Sequence, residues 1–192
     1  MSDRVGIFGG SFDPVHNGHI AVIHSLLKSN LFDFVRVLLT PHPPHKRDIK
    51  QASYEHRFAM LELAVSDIQN VMVSKLETRL PQPSYSLQTI DYLQRTEPEN
   101  LFFLCLGEDS IVSFRNWYKY EEILKKTTLV IAERPGFDKK MVDAEILEKS
   151  IFVEHNPVDI SSTGIRNRNR SDFQNEVPPN VAEYIQQHNL YE

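Results

Sequence analysis

Val5-Gly6-Ile7-Phe8-Gly9-Gly10-Ser11-Phe12-Asp13-Pro14-Val15-His16-Asn17-Gly18-His19 sets the pattern of the chain. A short apolar run, Val5–Phe8, reads as a strand; two adjacent glycines read as a turn; a helix follows from about Gly18 to Lys28. The same alternation then recurs. Phe34–Leu39 is a second strand, followed by a proline-rich loop and a helix near Tyr54–Val65. Val71–Lys75 is a third strand, and Leu87, Ile90 and Leu93 mark the next helix at threefold spacing. Leu101–Leu106 is apolar at every position, as expected of a strand buried on both faces of a parallel sheet. Helical stretches around Trp117–Lys126 and Lys139–Lys149 flank a fifth strand, Leu129–Ala132, and Ile151–Glu154 is a sixth. Helices near Gly164–Phe173 and Val181–His188, separated by Pro178-Pro179, close the chain. Strands alternating with helices predict an α/β fold, a doubly wound parallel sheet with helices on both faces. No repeat, low-complexity run or linker divides residues 1–192, so one domain is expected, with a C-terminal helical part from about 161 to 192.

Composition narrows the function classes. At 192 residues the chain suits one ordinary domain, and 41% apolar with 24% charged residues is a globular balance. With 21 basic against 26 acidic side chains the formal charge is −5, which suits a nucleic-acid coat poorly. The longest apolar run, Leu101–Leu106, has six residues, too few to cross a bilayer. Met1–Arg4 lacks a signal peptide's charged start and long apolar core. The single cysteine, Cys105, allows no internal disulfide and fits a reducing compartment. A soluble cytoplasmic domain is the expectation, with no membrane or nucleic-acid partner; a homo-oligomer stays open.

In a doubly wound sheet, ligands sit beyond the C-terminal ends of the strands, where the strand order reverses. After the first strand, Gly9 and Gly10 let the backbone pass close to a ligand, and the following helix offers N–H groups to an anion. His16 and His19, three apart at a helix start, share one face and suit a phosphate. A zinc pair is the competing reading; His42 and His45 could complete it, but thiolates and metal-helix spacings are absent. The dinucleotide fingerprint GxGxxG fails, because the glycines after Gly6 are Gly9 and Gly10.

After the second strand, Pro41-His42-Pro43-Pro44-His45-Lys46-Arg47 reads as a loop stiffened by prolines that delivers Lys46 and Arg47 to an anion. Pro83-Ser84-Tyr85-Ser86 leads into a helix that Ser86 could cap. Gly107-Glu108-Asp109 follows the fourth strand, where a carboxylate accepts ribose hydroxyls or caps a helix. Trp117-Tyr118, on the next helix, could stack a planar ring or pack a core. In Ile160-Ser161-Ser162-Thr163-Gly164-Ile165-Arg166, hydroxyls at a helix start would cap it, with Arg166 in or near the first turn. A cation there opposes the helix dipole unless an anion binds. Arg170, four residues on, shares its face.

GGSFDPVHNGH at residues 9–19 with ISSTGIR at 160–166 resembles the nucleotidyltransferase superfamily whose hallmarks are HxGH and SSTxIR. Within it the chain is similar to the bacterial nicotinate mononucleotide adenylyltransferases, which make deamido-NAD in NAD biosynthesis. The likeness continues through Pro43–Lys46, Ser84–Ser86, Gly107–Lys119, Arg134–Gly136 and the closing Asn189-Leu190-Tyr191-Glu192. It implies a Rossmann-like sheet and a transferase that binds ATP and nicotinate mononucleotide. It implies that His16 and His19 contact ATP phosphates and that Ser162, Thr163 and Arg166 hold the triphosphate. Gly9, Gly10, Ser11 and Phe12 would line the nucleotide cleft together with Gly107, and Asp109 would approach the ribose. Lys46 would meet the phosphate of the mononucleotide. Ser84, Tyr85 and Ser86 would sit near the nicotinate end with Trp117 stacked on its ring, and Tyr118 and Arg134 beside them. Mg2+ would come bound mainly through the ATP phosphates, with no protein cage. The chain departs from the family where Ser11 and Ser86 stand in place of threonine and Glu108 in place of a small residue. Nicotinamide mononucleotide and phosphopantetheine stay open as acceptors, and a nucleotide-sensing module on the same fold is the reading from a different class.

Overall fold

Six strands carry the computed structural model, which describes residues 2–42, 51–134, 136–168 and 174–191. They are β1 (Arg4–Gly10), β2 (Phe34–Leu39), β3 (Val71–Ser74), β4 (Leu101–Gly107), β5 (Thr128–Glu133) and β6 (Ser150–Glu154). Every neighbouring pair is parallel, and the spatial order is β3-β2-β1-β4-β5-β6. The order reverses between β1 and β4, which places a crevice above their C-terminal ends. This is the doubly wound, Rossmann-like arrangement that the sequence predicts.

Alternation along each strand feeds two cores. Phe8, Val35, Val37, Leu39, Cys105, Val130 and Val153 face one way. They meet α1 (Asn17–Lys28), α2 (Tyr54–Val65), α7 (Ser162–Arg166) and α8 (Pro179–Gln187). Val5, Ile7, Leu38, Phe102, Leu104, Leu106, Leu129 and Ile131 face the other way. There they meet α3 (Ser86–Thr96), α4 (Glu108–Val112), α5 (Tyr120–Lys126) and α6 (Ala144–Glu148). Each fully buried aliphatic side chain contributes about 1.5–3 kcal/mol, so both helical layers are held chiefly by such contacts. Gly6 admits the close approach of Phe32: a Cβ there would lie 3.2 Å from its ring. Among the described residues, no helix is long and apolar enough to cross a membrane.

Three expectations are corrected. The stretch Trp117–Lys126 is not one helix: α5 starts at Tyr120, after Lys119 in the left-handed region at φ 51°. Trp117 is extended at its helix-breaking position and lies against Phe114, with ring centroids 5.2 Å apart. The stretch Lys139–Lys149 is broken at Val142 and Asp143, whose extended backbone turns Val142 into the core. Leu101 is 56% exposed, because it begins β4 at the edge of the core instead of lying between two layers.

Candidate active site

The turn after β1 is built around a buried carboxylate. Phe12 takes a left-handed φ of 42°, and the Asp13–Pro14 peptide is cis. The Phe12 side chain is 1% exposed, so only its backbone is available to a ligand on this turn. It packs edge-on against Phe8 at 5.7 Å and against His19 at 4.9 Å. Ser11 carries its backbone carbonyl inward, to Arg57. By contrast, among the described residues nothing beyond the chain neighbours lies within 4 Å of a Cβ built on Gly9 or on Gly107. Among those residues, the ends of the two central strands therefore leave open space.

Asp13 has no solvent exposure. Its Oδ1 accepts from the Ala52 N–H at 3.1 Å and from the Tyr191 hydroxyl at 2.7 Å. Its Oδ2 lies 3.6 Å from Arg166 Nη1 and has no hydrogen-bond partner. Arg57, 2% exposed, donates to the carbonyls of Ser11, Thr40, Pro41 and Ala52. One guanidinium thereby fastens the turn after β1 to the segments after β2 and before α2. Burial lowers its pKa from the ordinary arginine value, opposed by the field of Asp13.

His16 is the N-cap of α1 and His19 its third residue. They share one face, as their spacing predicts, and the rings are stacked 3.7 Å apart. The His16 backbone N–H donates to His19 Nδ1 at 3.2 Å, which leaves the proton of a neutral His19 ring on Nε2. His16 is 6% exposed, and among the described residues its Nδ1 has no hydrogen-bond partner. Burial lowers its pKa to about 4, against a smaller opposing effect of Glu176, so His16 meets a ligand as a neutral imidazole at pH 7. An unfolded histidine takes a proton below about pH 6.5, whereas His16 in the folded chain resists it down to about pH 4. Stability is thus lost as pH falls through that window. Urea unfolding at pH 7 and 4.5 should show a loss of about 2–3 kcal/mol in the wild type beyond that in His16→Gln. Equal losses would mean that His16 is not desolvated.

The C-terminal segment is brought onto this turn. Ser161 caps α7, accepting from the Gly164 N–H at 3.0 Å. The Ser162 hydroxyl donates to the Pro14 carbonyl at 3.0 Å, a link spanning 148 residues of sequence. Arg166 Nη1 donates to the Asp13 carbonyl at 2.6 Å and Nη2 to Thr163 Oγ1 at 3.2 Å. Arg166 stands near the first turn of α7, as the sequence predicts; because the helix has only five residues it also ends there, where a cation is not opposed by the dipole. What holds it is Asp13. Asn17 ties the start of α1 to the same C-terminal segment, donating from its backbone to the Glu176 carbonyl at 2.8 Å and from its side chain to that of Asn175 at 2.9 Å.

Of the ring-binding candidates, the structure brings Tyr85 and Tyr118 together. Tyr85, not Ser86, is the N-cap of α3, and its ring stacks on that of Tyr118 at 4.6 Å. Ser84 is buried, donates its hydroxyl to Gln82 at 3.0 Å, and reaches the His42 carbonyl through its N–H at 3.4 Å. Trp117 faces Phe114, so part of its surface is already used in packing. Gly107, not Asp109, is the N-cap of α4; Asp109 is exposed in its first turn. Glu108, the unusual residue at its position, accepts from the Arg134 N–H and lies 3.9 Å from its Nε, tying β4 to β5. Lys46 and Arg170, with Pro43, Pro44, His45 and Arg47, lie outside the described residues. Sequence reading gave no role to Arg57 or Tyr191. Arg57 looks like any charge on an amphipathic helix, and Tyr191 signals only as part of the C-terminal likeness.

The chain matches the cytidylyltransferase-like family model over residues 7–168. It is 34% identical over 192 residues to a protein of Endomicrobium trichonymphae named "probable nicotinate-nucleotide adenylyltransferase", covering 98% of each chain. A Thermotoga maritima protein of the same name is 38% identical over 174 residues, covering 88% of this chain and 82% of its own. The fold is similar to Plasmodium falciparum nicotinic acid mononucleotide adenylyltransferase solved with NaAD, at a TM-score of 0.81 and 21% identity over 98% of this chain and 97% of that one. With a stacked histidine pair after the first strand and the SSTGIR arginine drawn to the buried Asp13, the chain belongs to the cytidylyltransferase-like family and, within it, to the nicotinate-nucleotide adenylyltransferases.

Proposed function

We propose that this chain transfers the adenylyl group of ATP to nicotinate mononucleotide, giving nicotinate adenine dinucleotide and pyrophosphate. The observation that carries the reading is the meeting of Arg166 with Asp13, three residues before the stacked His16 and His19. Relatives of that name along nearly the whole chain support the choice of acceptor.

The chemistry asks little of protein nucleophiles. A phosphate oxygen of the mononucleotide, anionic at neutral pH, forms the new bond to the α-phosphorus. The bond from that phosphorus to the bridging oxygen breaks, and its electron pair leaves on pyrophosphate. Catalysis is then alignment of two polyanions and stabilisation of developing charge. His16 and His19 supply N–H donors, and Arg166 supplies a fixed cation. Gly9 and Gly107 leave room for the nucleotide, with Gly10 and Ser11 along the turn and Asp109 toward the ribose. Ser162 and Thr163 act mainly by holding their segment on the turn, since their hydroxyls already bond Pro14 and Arg166. Lys46 meets the mononucleotide phosphate. Ser84, Tyr85, Ser86, Trp117, Tyr118 and Arg134 surround the ring.

The donor set does not fit a resident metal. Among the described residues no three His, Cys, Asp or Glu side chains cluster, and Asp13, the carboxylate at the centre, is committed to Arg166, Ala52 and Tyr191. Mg2+ therefore belongs with ATP as part of the substrate, and no step is assigned to it here. A free, buried Cys105 supports placing the reaction in the cytoplasm.

Pyrophosphate release from ATP is the test, with nicotinate mononucleotide, nicotinamide mononucleotide and phosphopantetheine compared side by side. The expected kcat/KM is highest for nicotinate mononucleotide, by at least about tenfold, a difference of about 1.4 kcal/mol. A higher value for another acceptor would overturn the acceptor while keeping the chemistry. ATP binding without turnover would favour a sensing module.

A further inference from the structure

We infer that Tyr191, the penultimate residue, is a positioning residue for adenylyl transfer: its hydroxyl holds Asp13, and Asp13 in turn holds Arg166. The inference rests on the reaction proposed above and adds a part of the chain to which that reaction assigns nothing.

The tail is built to make this contact. Helix α8 ends at Gln187 with His188 as its C-cap, and Asn189 takes the left-handed conformation at φ 50°. The Leu190 N–H then bonds the Ile185 carbonyl at 3.1 Å and the Asn189 N–H bonds that of Gln186 at 3.3 Å. These two bonds are the Schellman pattern that stops a helix and reverses the chain. Leu190 packs on the core beneath. Tyr191 is itself left-handed, at φ 62°, a conformation that side chains with a Cβ rarely adopt and that persists only where the surroundings hold it.

What holds it is the bond from its hydroxyl to Asp13 Oδ1, at 2.7 Å across 178 residues of sequence. With the Ala52 N–H on the same oxygen, this fixes the carboxylate so that Oδ2 faces Arg166. Asp13 is completely buried, so no water competes for these positions. The Arg166 guanidinium, bonded also to the Asp13 carbonyl, is thus set by a chain of three side chains that begins at the C-terminus. The burial of Tyr191 beside Asp13 raises its pKa well above the ordinary tyrosine value, which keeps the hydroxyl a donor. Tyr191 acts through Asp13.

The test is a double-mutant cycle on the full chain. Initial rates with ATP and nicotinate mononucleotide are measured for wild type, Tyr191→Phe, Arg166→Lys and the double variant. Phenylalanine keeps the ring and removes only the hydroxyl. Tyr191→Phe should lower kcat about tenfold, with KM for nicotinate mononucleotide within about twofold and the melting temperature within about 2–4 °C of wild type. In the Arg166→Lys background the same substitution should lower kcat less than about twofold, because the path it acts through is already cut. An equal loss in both backgrounds, or an unchanged kcat for Tyr191→Phe, overturns the inference. Should Tyr191→Phe melt early, Asp13→Asn replaces it as the first arm of the cycle. Its kcat should fall by a similar factor, and Tyr191→Phe added to it should change nothing further; an additional tenfold loss would overturn the path through Asp13. A wild-type enzyme without turnover overturns the reaction itself, whereas turnover with an additive cycle overturns only the role of Tyr191.

Discussion

Arg166→Ala lowers kcat at least about tenfold, and on the order of 10²-fold if Arg166 faces the charge that develops on the phosphates, the effect found where a fixed donor to a developing anion is removed. Its guanidinium is 12% exposed, pinned by the Asp13 carbonyl at 2.6 Å and by Thr163 at 3.2 Å. A cation held so closely pays little reorganisation when a phosphate arrives. The fold should survive the change, because Asp13 keeps the Tyr191 and Ala52 donors and the field of Arg57. His19→Ala should act in the same direction, by at least about tenfold, through loss of one imidazole donor. The check is steady-state kinetics beside circular dichroism. A folded Arg166→Ala protein with wild-type kcat removes Arg166 from the mechanism.

The largest effect on stability is expected at Arg57. Arg57→Ala would strip a donor from the carbonyls of Ser11, Thr40, Pro41 and Ala52 and leave Asp13 with less compensating charge. Removing one side of a buried, hydrogen-bonded charge arrangement costs about 3–5 kcal/mol, which is a fall of roughly 6–20 °C in Tm for a chain of this size. Arg57→Lys should recover only a small part of it, since an ammonium cannot fork to several carbonyls. Thermal unfolding of the two variants checks this. A loss for Arg57→Ala under about 1 kcal/mol would show that the segments after β1 and β2 hold without the clamp.

The sheet was legible because burial writes itself into sequence. Val5–Phe8, Phe34–Leu39 and Leu101–Leu106 are apolar runs bounded by turn residues, and all three became central strands. The helices after β4 and β5 were less legible. Trp117 and Val142 have side chains that fit a helical face, but tertiary packing pulled their backbones extended. In the site, the spacing of His16 and His19 foretold that they share one face, since one helical turn fixes it; that the rings stack is a finding of the structure. The setting of Arg166 was not foretold. Its partner Asp13 lies 153 residues away, and no local pattern announces that a carboxylate will be buried there. Arg57 and Tyr191 were hidden for the same reason. Each does its work through a contact with a distant part of the chain, and each has, by itself, the appearance of an ordinary surface residue.

The central claim is direct transfer of the adenylyl group at the β1–β4 crevice to nicotinate mononucleotide. The most direct test follows ATP labelled at the α-phosphorus, with and without the acceptor, by chromatography of small molecules and of the protein. Label is expected in nicotinate adenine dinucleotide, with one pyrophosphate per dinucleotide, and neither pyrophosphate nor labelled protein when the acceptor is omitted. A burst of pyrophosphate equal to the enzyme without acceptor, or label that never enters the dinucleotide, would contradict it.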